Sequence, residues 1–388
     1  MLFIGIGQIM YSIHQHWDPL KVCAVGQSYP PEFYDYISNK NVRKVFYKIA
    51  EETEEDYQEL IKKLRSFGVE IIRPQIDSNF DNYFDGTKFM QPPMSPRDHT
   101  AMIGNIWFSD GSADPKITWE KLKGSDWPDL PTNELEFNNL PKFVLDELKN
   151  NFNRSSYAKL VNPFYLQNIN EHVKRQGNQI KLGTNINAAM TTRIGKDLYF
   201  GTETKHDEVE LLQKKYSALF PDYRCHIVES EGHSDGAFCP VVPGLIISLK
   251  DMPTYEKTFP NWEVVYLPNQ SWESVSPFLK IKEKNKGKWW VPGEELNDDF
   301  TNFVETWMNH WVGYVEETVF DVNMLVIDEQ NVICNNYNKL VFDAFDRYGI
   351  TGHVINFRHR YFWDGGLHCI TSDLHREGVQ KDFFPGRS

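Results

Sequence analysis

MLVIDEQNVIC, Met324 to Cys334, decides how the rest of the chain is read. Two apolar runs flank Asp328-Glu329-Gln330-Asn331, a polar group that marks the turn of a hairpin. A segment with helical spacing follows at Lys339 to Tyr348, and an apolar run at His353 to Phe357 supplies a further strand. The unit is therefore strand, strand, helix, strand. The same order recurs. Lys21 to Gly26 reads as a strand and Ala50 to Phe67 as a helix, with acids at its start and lysines near its end, as the helix dipole favours. Gly68 stops that helix before a strand at Val69 to Pro74. Asp197 to Thr202, Lys205 to Phe220 and Cys225 to Glu229 repeat strand, helix and strand, and Ala237 to Leu249 is a hairpin turning at Pro243-Gly244. The units are too dissimilar to prove a sequence repeat, but they predict an α/β ring of related modules whose loops feed one central site.

Bulk properties narrow the alternatives. Tryptophan, tyrosine and phenylalanine make up 14% of the chain, ample material for a large core. No apolar run reaches the length of a membrane span. The opening MLFIGIGQIM lacks a basic n-region and a cleavage site, and reads poorly as a signal peptide. A net charge of −13 argues against a nucleic-acid surface and suits a cationic substrate. Cys23, Cys225, Cys239, Cys334 and Cys369 are odd in number and scattered, which favours free thiols in a reducing, cytoplasmic setting. Neither HExxH nor a zinc-like cysteine spacing occurs, so the sequence calls for no metal or other cofactor. The stretches 109–179 and 271–310, rich in Trp, Pro, Asn and Lys, read as insertions in a single domain spanning 1–388.

Four short stretches carry chemistry. In Met94-Ser95-Pro96-Arg97-Asp98, Pro96 holds the chain extended and places Asp98 at a strand entrance, or simply pairs Arg97 with Asp98 in a turn. In His233-Ser234-Asp235, the H-x-D spacing on an extended segment points both side chains to one face as an acid–base and cation-binding pair; a structural role is the plainer reading. Thr184 to Met190 is a close-packed turn of small residues and amides. In Gly365-Gly366-Leu367-His368-Cys369, His368 or a nearby dipole can lower the thiol pKa of Cys369, against the alternative of a buried, inert cysteine.

In this order the stretches resemble the amidinotransferase family, in its glycine amidinotransferase-like branch, within the guanidine-modifying pentein superfamily. The resemblance runs from Trp17-Asp18-Pro19 with Val25-Gly26, through Pro96-Arg97-Asp98 with Gly104-Asn105 and Arg193-Ile194-Gly195-Lys196-Asp197. It continues through His233-Ser234-Asp235 with Pro243-Gly244-Leu245 and Asn323 to Glu329, and ends at Gly365 to Cys369 with Thr371. It implies a five-bladed α/β propeller of ββαβ-type modules around a pseudo-fivefold axis, and a homodimer. It also implies that Cys369 is the nucleophile, His233 the acid/base, and Asp98 and Asp235 the carboxylates that bind a guanidinium; Arg97, in the same motif, is counted with the substrate-binding set. That activity takes a small guanidino donor and an amine acceptor through an amidino group held on sulfur. If water attacks instead, the enzyme is a guanidine hydrolase; a catalytically silent binding protein is the third possibility.

Four residues at three places depart from the family pattern. Asn187 falls where an aspartate orients the catalytic histidine, and an amide cannot stabilise an imidazolium by charge. Met252 replaces an arginine that binds a substrate carboxylate, and Glu316-Glu317 replace small hydroxyl residues at the substrate's amino-acid end. Losing a cation and gaining two acids disfavours an α-carboxylate. A substrate without one, such as a polyamine, an agmatine-like donor or an amino sugar, fits these exchanges, unless Lys250 or an inserted loop supplies the missing cation or the two acids face solvent.

Overall fold

The computed structural model describes residues 10–83, 89–109, 128, 141–144, 166–182, 186–202, 209–230, 233–249, 255–267, 280, 289–308, 311–312, 321–363 and 365–387. The chain opens with β1 (Leu20–Val25), α1 (Lys40–Ser66) and β2 (Glu70–Ile72). Next come β3 (Thr100–Ile103), β4 (Ile106–Ser109), α2 (Gln167–Arg175) and β5 (Gln179–Leu182). The third set is β6 (Thr191–Ile194), β7 (Asp197–Thr202), α3 (Val209–Leu219) and β8 (Arg224–Glu229). The fourth is β9 (Phe238–Val242), β10 (Leu245–Ser248), α4 (Tyr255–Thr258) and β11 (Glu263–Tyr266). The fifth is β12 (Leu325–Asp328), β13 (Asn331–Cys334), α5 (Lys339–Tyr348) and β14 (Thr351–Val354). The last strand is β15 (Thr371–Arg376).

The strands form five three-stranded sheets among the described residues, all built alike. A tight hairpin joins an antiparallel pair, and a third strand returns parallel to the second, as a helical crossover requires. One module is split between the chain ends: β15 pairs antiparallel with β1, Thr371 opposite Val25 and Asp373 opposite Cys23, and β2 completes the sheet. Joining first and last strands in one sheet closes the α/β propeller around its pseudo-fivefold axis. Three of the hairpin turns place a glycine in left-handed backbone: Gly104, Gly195 and Gly244. At Gly195 (φ 62°) even a methyl group would also lie 2.0 Å from the Lys381 carbonyl oxygen.

Two element boundaries differ from the sequence reading. Helix α1 begins at Lys40 rather than Ala50, capped by the Asn39 side chain, which accepts from the Asn41 and Val42 N–H groups. Val42, Val45, Phe46 and Ile49 extend its buried stripe backwards, so the acids after Ala50 lie mid-helix. Strand β14 begins at Thr351 rather than His353, because parallel pairing sets Thr351 against Asn331. Ile355 and Phe357, read as strand, pack in the core beside α1 instead. Of the two predicted insertions, Trp289 to Met308 is described: Trp289, Phe300, Val304 and Met308 share that core. Most of the remainder lies outside the described residues. No described helix is long and apolar enough to cross a membrane.

The inner strands meet on a buried ionic hub. Asp373 on β15 accepts from three guanidiniums: Arg97 Nη2 at 2.9 Å, Arg193 Nη2 at 2.8 Å and Arg376 Nε at 2.9 Å. All four side chains are at most 1% exposed. The arginines spend further donors on backbone carbonyls of other modules. Arg193 reaches Met102 on β3, Arg376 reaches Val326 on β12, and Arg97 reaches His368 and Thr371. Replacing Asp373 by alanine leaves three buried cations without their counter-ion. A loss of about 3–5 kcal/mol is expected from denaturant unfolding, and an unchanged midpoint would refute the hub.

Candidate active site

Every candidate catalytic residue on the described chain sits in a segment that leads into a module's first strand. Asp98 ends a short 3₁₀ turn, Pro96–Asp98, before β3. Asn187 precedes β6, His233 caps and Asp235 lies within a 3₁₀ turn (Ser234–Gly236) before β9, Asn323 precedes β12, and His368 and Cys369 precede β15. The segments are stitched to one another. The Ala188 N–H donates to the carbonyls of Arg97 and Thr100, and the Ser234 hydroxyl and Asp235 N–H donate to the Ala189 carbonyl. Imidazole His368 Nδ1 meets Asp235 Oδ2 at 2.8 Å.

Cys369 lies in a tight turn, partly exposed, whereas Cys23, Cys225, Cys239 and Cys334 are buried. Burial pushes the Cys23 thiol up to about 12 and the Cys225 thiol up to about 11, out of range for thiolate chemistry. The turn is clamped from two sides. Arg97 Nε donates to the carbonyls of His368 and Thr371, each at 2.8 Å, on either side of Cys369. Asn323 Oδ1 accepts from the N–H groups of His368 (2.9 Å) and Cys369 (3.3 Å), and its Nδ2 donates to Cys369 Sγ at 2.9 Å. Gly366 is required for that approach, because a Cβ there would lie 2.5 Å from Asn323 Oδ1.

Both carboxylates, Asp235 and Asp98, keep an oxygen to spare. Asp235 Oδ2 is 3.7 Å from Cys369 Sγ, while its Oδ1 is buried with no hydrogen-bond partner. Asp98 Oδ1 is likewise buried without a hydrogen bond and lies 3.9 Å from His233 Nδ1, an ion-pair distance. Their acidities diverge. Burial pushes the Asp98 carboxyl up, helped by the charge of Asp235 and opposed by His233. For Asp235 burial acts the same way, but the His368 hydrogen bond and the nearby charges of His233 and Arg97 outweigh it and hold the carboxyl below its ordinary value. His233 is the most open of the group, its side chain 46% exposed. Its segment is a turn, not an extended strand, so His233 faces outward while Asp235 is buried.

His368 has a different place from the one adjacency suggested. Burial, then the charge of Arg97, lowers its pKa to about 4, so near neutrality it is an uncharged donor to Asp235 and brings no positive charge to the thiol. A cavity of about 10 Å³ beside it, bounded by His16, Thr192 and Phe238, has room for a single water at most.

Of the substrate-binding set, Arg97 is fully buried in the hub and touches the turn of Cys369, so it is not a wall of the substrate site. The Asn187 amide oxygen accepts from the Met190 N–H at 2.9 Å, fixing its own turn. Met252, Glu316, Glu317 and Lys250 lie outside the described residues. Asn323 and Asn335 were not singled out from the sequence as site residues. Asn323 opened a matched motif, but asparagine before a strand signals a turn, and only its distance to Cys369 reveals it.

The buried imidazole makes acid stability a test of this geometry. The unfolded chain binds a proton at His368 near pH 6.5 and the folded chain only near pH 4. The stabilisation is therefore complete above about pH 6.5 and is lost as the pH falls towards 4, worth about 3 kcal/mol over that window. Unfolding midpoints should drop across it, and His368→Gln should flatten the slope; equal slopes in the two proteins would overturn the assignment.

No family model matches the chain. Glycine amidinotransferase, mitochondrial, of Xenopus tropicalis is 24% identical over 203 residues, 51% of this chain and 40% of that protein. The chain thus spans well under two thirds of the length of the curated relatives of this kind. Putative inosamine-phosphate amidinotransferase 2 of Streptomyces griseus is 20% identical and is covered over 99% of its length by 96% of this chain. Among solved structures, SxtG, an amidinotransferase of Microseira wollei in saxitoxin biosynthesis, superposes with a TM-score of 0.59 at 16% identity, over 96% of this chain and 99% of that one. The inosamine-phosphate amidinotransferase StrB1 of Streptomyces griseus gives 0.57 at 16% identity, over 97% and 99%. At these identities the superpositions establish the fold.

Proposed function

We propose that this chain, a relative of the amidinotransferases built on the pentein fold, moves an amidino group from a guanidino donor to an amine acceptor through Cys369. The observation that carries the reading is the pair of buried, unsatisfied oxygens, Asp98 Oδ1 and Asp235 Oδ1, in the segments around one partly exposed thiol. Two carboxylates can fix the plane of a guanidinium through paired N–H···O bonds, and its charge answers the cost of keeping both ionised in a dry site. Asp98, whose carboxyl burial pushes up, gains most from a cation.

The thiolate of Cys369 then attacks the central guanidinium carbon, forming a C–S bond. His233 gives a proton to the departing amine as the C–N bond breaks, which leaves an amidino group on sulfur. An incoming amine, deprotonated by His233, attacks the same carbon and expels the thiolate. His233 is exposed enough to exchange with leaving and entering amines, whereas His368 is engaged by Asp235 and uncharged. Asn187 offers no negative charge to an imidazolium, so the protonated state of His233 draws its support from Asp98 at 3.9 Å.

The donor and acceptor belong to the same proposal. Met252 and Glu316-Glu317, an uncharged side chain and two acids where relatives of the glycine type carry a cation and hydroxyls, favour a substrate with an added amine in place of an α-carboxylate. The five cysteines are free thiols, in keeping with a cytoplasmic setting, and a homodimer follows the family resemblance.

Incubation with arginine, agmatine or guanidinoacetate, followed by mass spectrometry, should place one amidino group on the Cys369 peptide and none in Cys369→Ser. Absence of the adduct with every guanidine tried would remove the reading. Release of a ureido product without an acceptor amine would mark a hydrolase instead. Losing a carboxylate from a buried charge pair costs about 2–5 kcal/mol, so Asp235→Asn should cut kcat/KM by roughly two orders of magnitude. Efficient arginine-to-glycine transfer would overturn the substrate assignment.

A further inference from the structure

Asp98, Asn187, His233 with Asp235, and Cys369 account for the entry segments of four modules. The fifth, before β12, presents Asn323, and it reaches the reacting atom. Its amide orientation is fixed by chemistry: the atom facing the N–H groups of His368 and Cys369 must be the acceptor, Oδ1. Nδ2 is then the atom 2.9 Å from Cys369 Sγ, and it can only donate. Asn335 holds the arrangement from behind. Its Nδ2 donates to the Asn323 carbonyl at 2.6 Å, and its Oδ1 accepts from the Leu367 N–H at 2.9 Å. A Cβ on Gly366 would lie 2.5 Å from Asn323 Oδ1 and 2.9 Å from Asn335 Nδ2, so the glycine leaves room for this pair.

A donor aimed at sulfur favours the thiolate over the thiol, because the anion is the stronger acceptor. Neither Asp235 nor His368 does this. Asp235 is a carboxylate 3.7 Å from the sulfur and opposes a second negative charge, and His368 directs its proton to Asp235. We propose that Asn323 is a catalytic residue that stabilises the Cys369 thiolate through its Nδ2–H, with Asn335 as the positioning residue that aims it. The inference rests on the reading of Cys369 as the nucleophile. It adds that the same amide offsets the repulsion of Asp235 while the thiolate waits for a guanidinium, and receives the sulfur again when the amidino group departs.

Two substitutions separate donation from mere support of the turn. Asn323→Asp keeps an oxygen for the two N–H groups but replaces the donor by an acceptor, whereas Asn323→Ala removes both. The pH dependence of Cys369 alkylation by iodoacetamide, followed on its peptide by mass spectrometry, reads the thiolate without any substrate. The midpoint should rise by about one pH unit in Asn323→Ala, a roughly tenfold loss of thiolate at fixed pH. It should rise further in Asn323→Asp. Steady-state rates of Asn323→Asp should recover towards alkaline pH as the thiolate reforms. If Asn323→Asp alkylates with the wild-type midpoint, the amide only shapes the turn and the proposal fails. Should Asn323→Ala not fold, the aspartate variant decides alone. A shifted midpoint in a protein that forms no amidino adduct would preserve the role of Asn323 and remove the proposed function instead.

Discussion

Three guanidiniums share one carboxylate at the centre of this protein, and the arrangement of everything around them follows from burying that charge. Asp373 offers two oxygens, and neither oxygen nor cation meets solvent. Such a cluster is costly unless most of the remaining N–H groups are also satisfied; only Arg97 Nη1 and Arg193 Nε among its described donors make no hydrogen bond. Arg97, Arg193 and Arg376 satisfy many of theirs on carbonyls drawn from β3, β12 and the turn of Cys369. Each bond ties the inner strand of one module to another. The His368–Asp235 contact brings in the module of β9, so every sheet is anchored to the axis.

The hub also shapes the chemistry above it. One negative charge against three positive ones leaves an excess of cation beneath the site, and Arg97 contributes to both neighbours: it helps keep His368 neutral and Asp235 ionised. Arg97 and Asp98 are adjacent in sequence and opposite in task. The first points into the hub and grips the turn of Cys369; the second enters the site with an oxygen to spare. Structural and reactive parts are thus coupled through single peptide bonds, and an error in the packing of the axis would be felt at the sulfur.

Much of the architecture was legible because its signals are local. The hairpin at Met324 to Cys334, the Pro243-Gly244 turn and helix Lys339 to Tyr348 need only periodicity and turn chemistry, and they stand where the sequence put them. The start of α1 and the start of β14 were misjudged for physical reasons. Acids inside α1 resembled a helix beginning, and the register of β14 is set by β13, a partner distant in the chain. The His233-Ser234-Asp235 stretch was expected to be extended; it turns, and one residue is open while the other is buried.

By itself the sequence determined which residues have the chemistry: a thiol after two glycines, aspartates at strand entrances, an H-x-D pair and a net negative charge. Residue type and short spacing are enough for that. Only the tertiary structure decided which of them meet, since Asp98, Asp235, Asn323 and Cys369 come from four different modules. It also reassigned roles that adjacency had suggested. His368 turns its proton to Asp235 and Arg97 withdraws into the hub, while Asn323, 46 residues from Cys369, reaches the sulfur. Distances across a closed ring are fixed by the packing of all its modules at once, and no local stretch of chain encodes them.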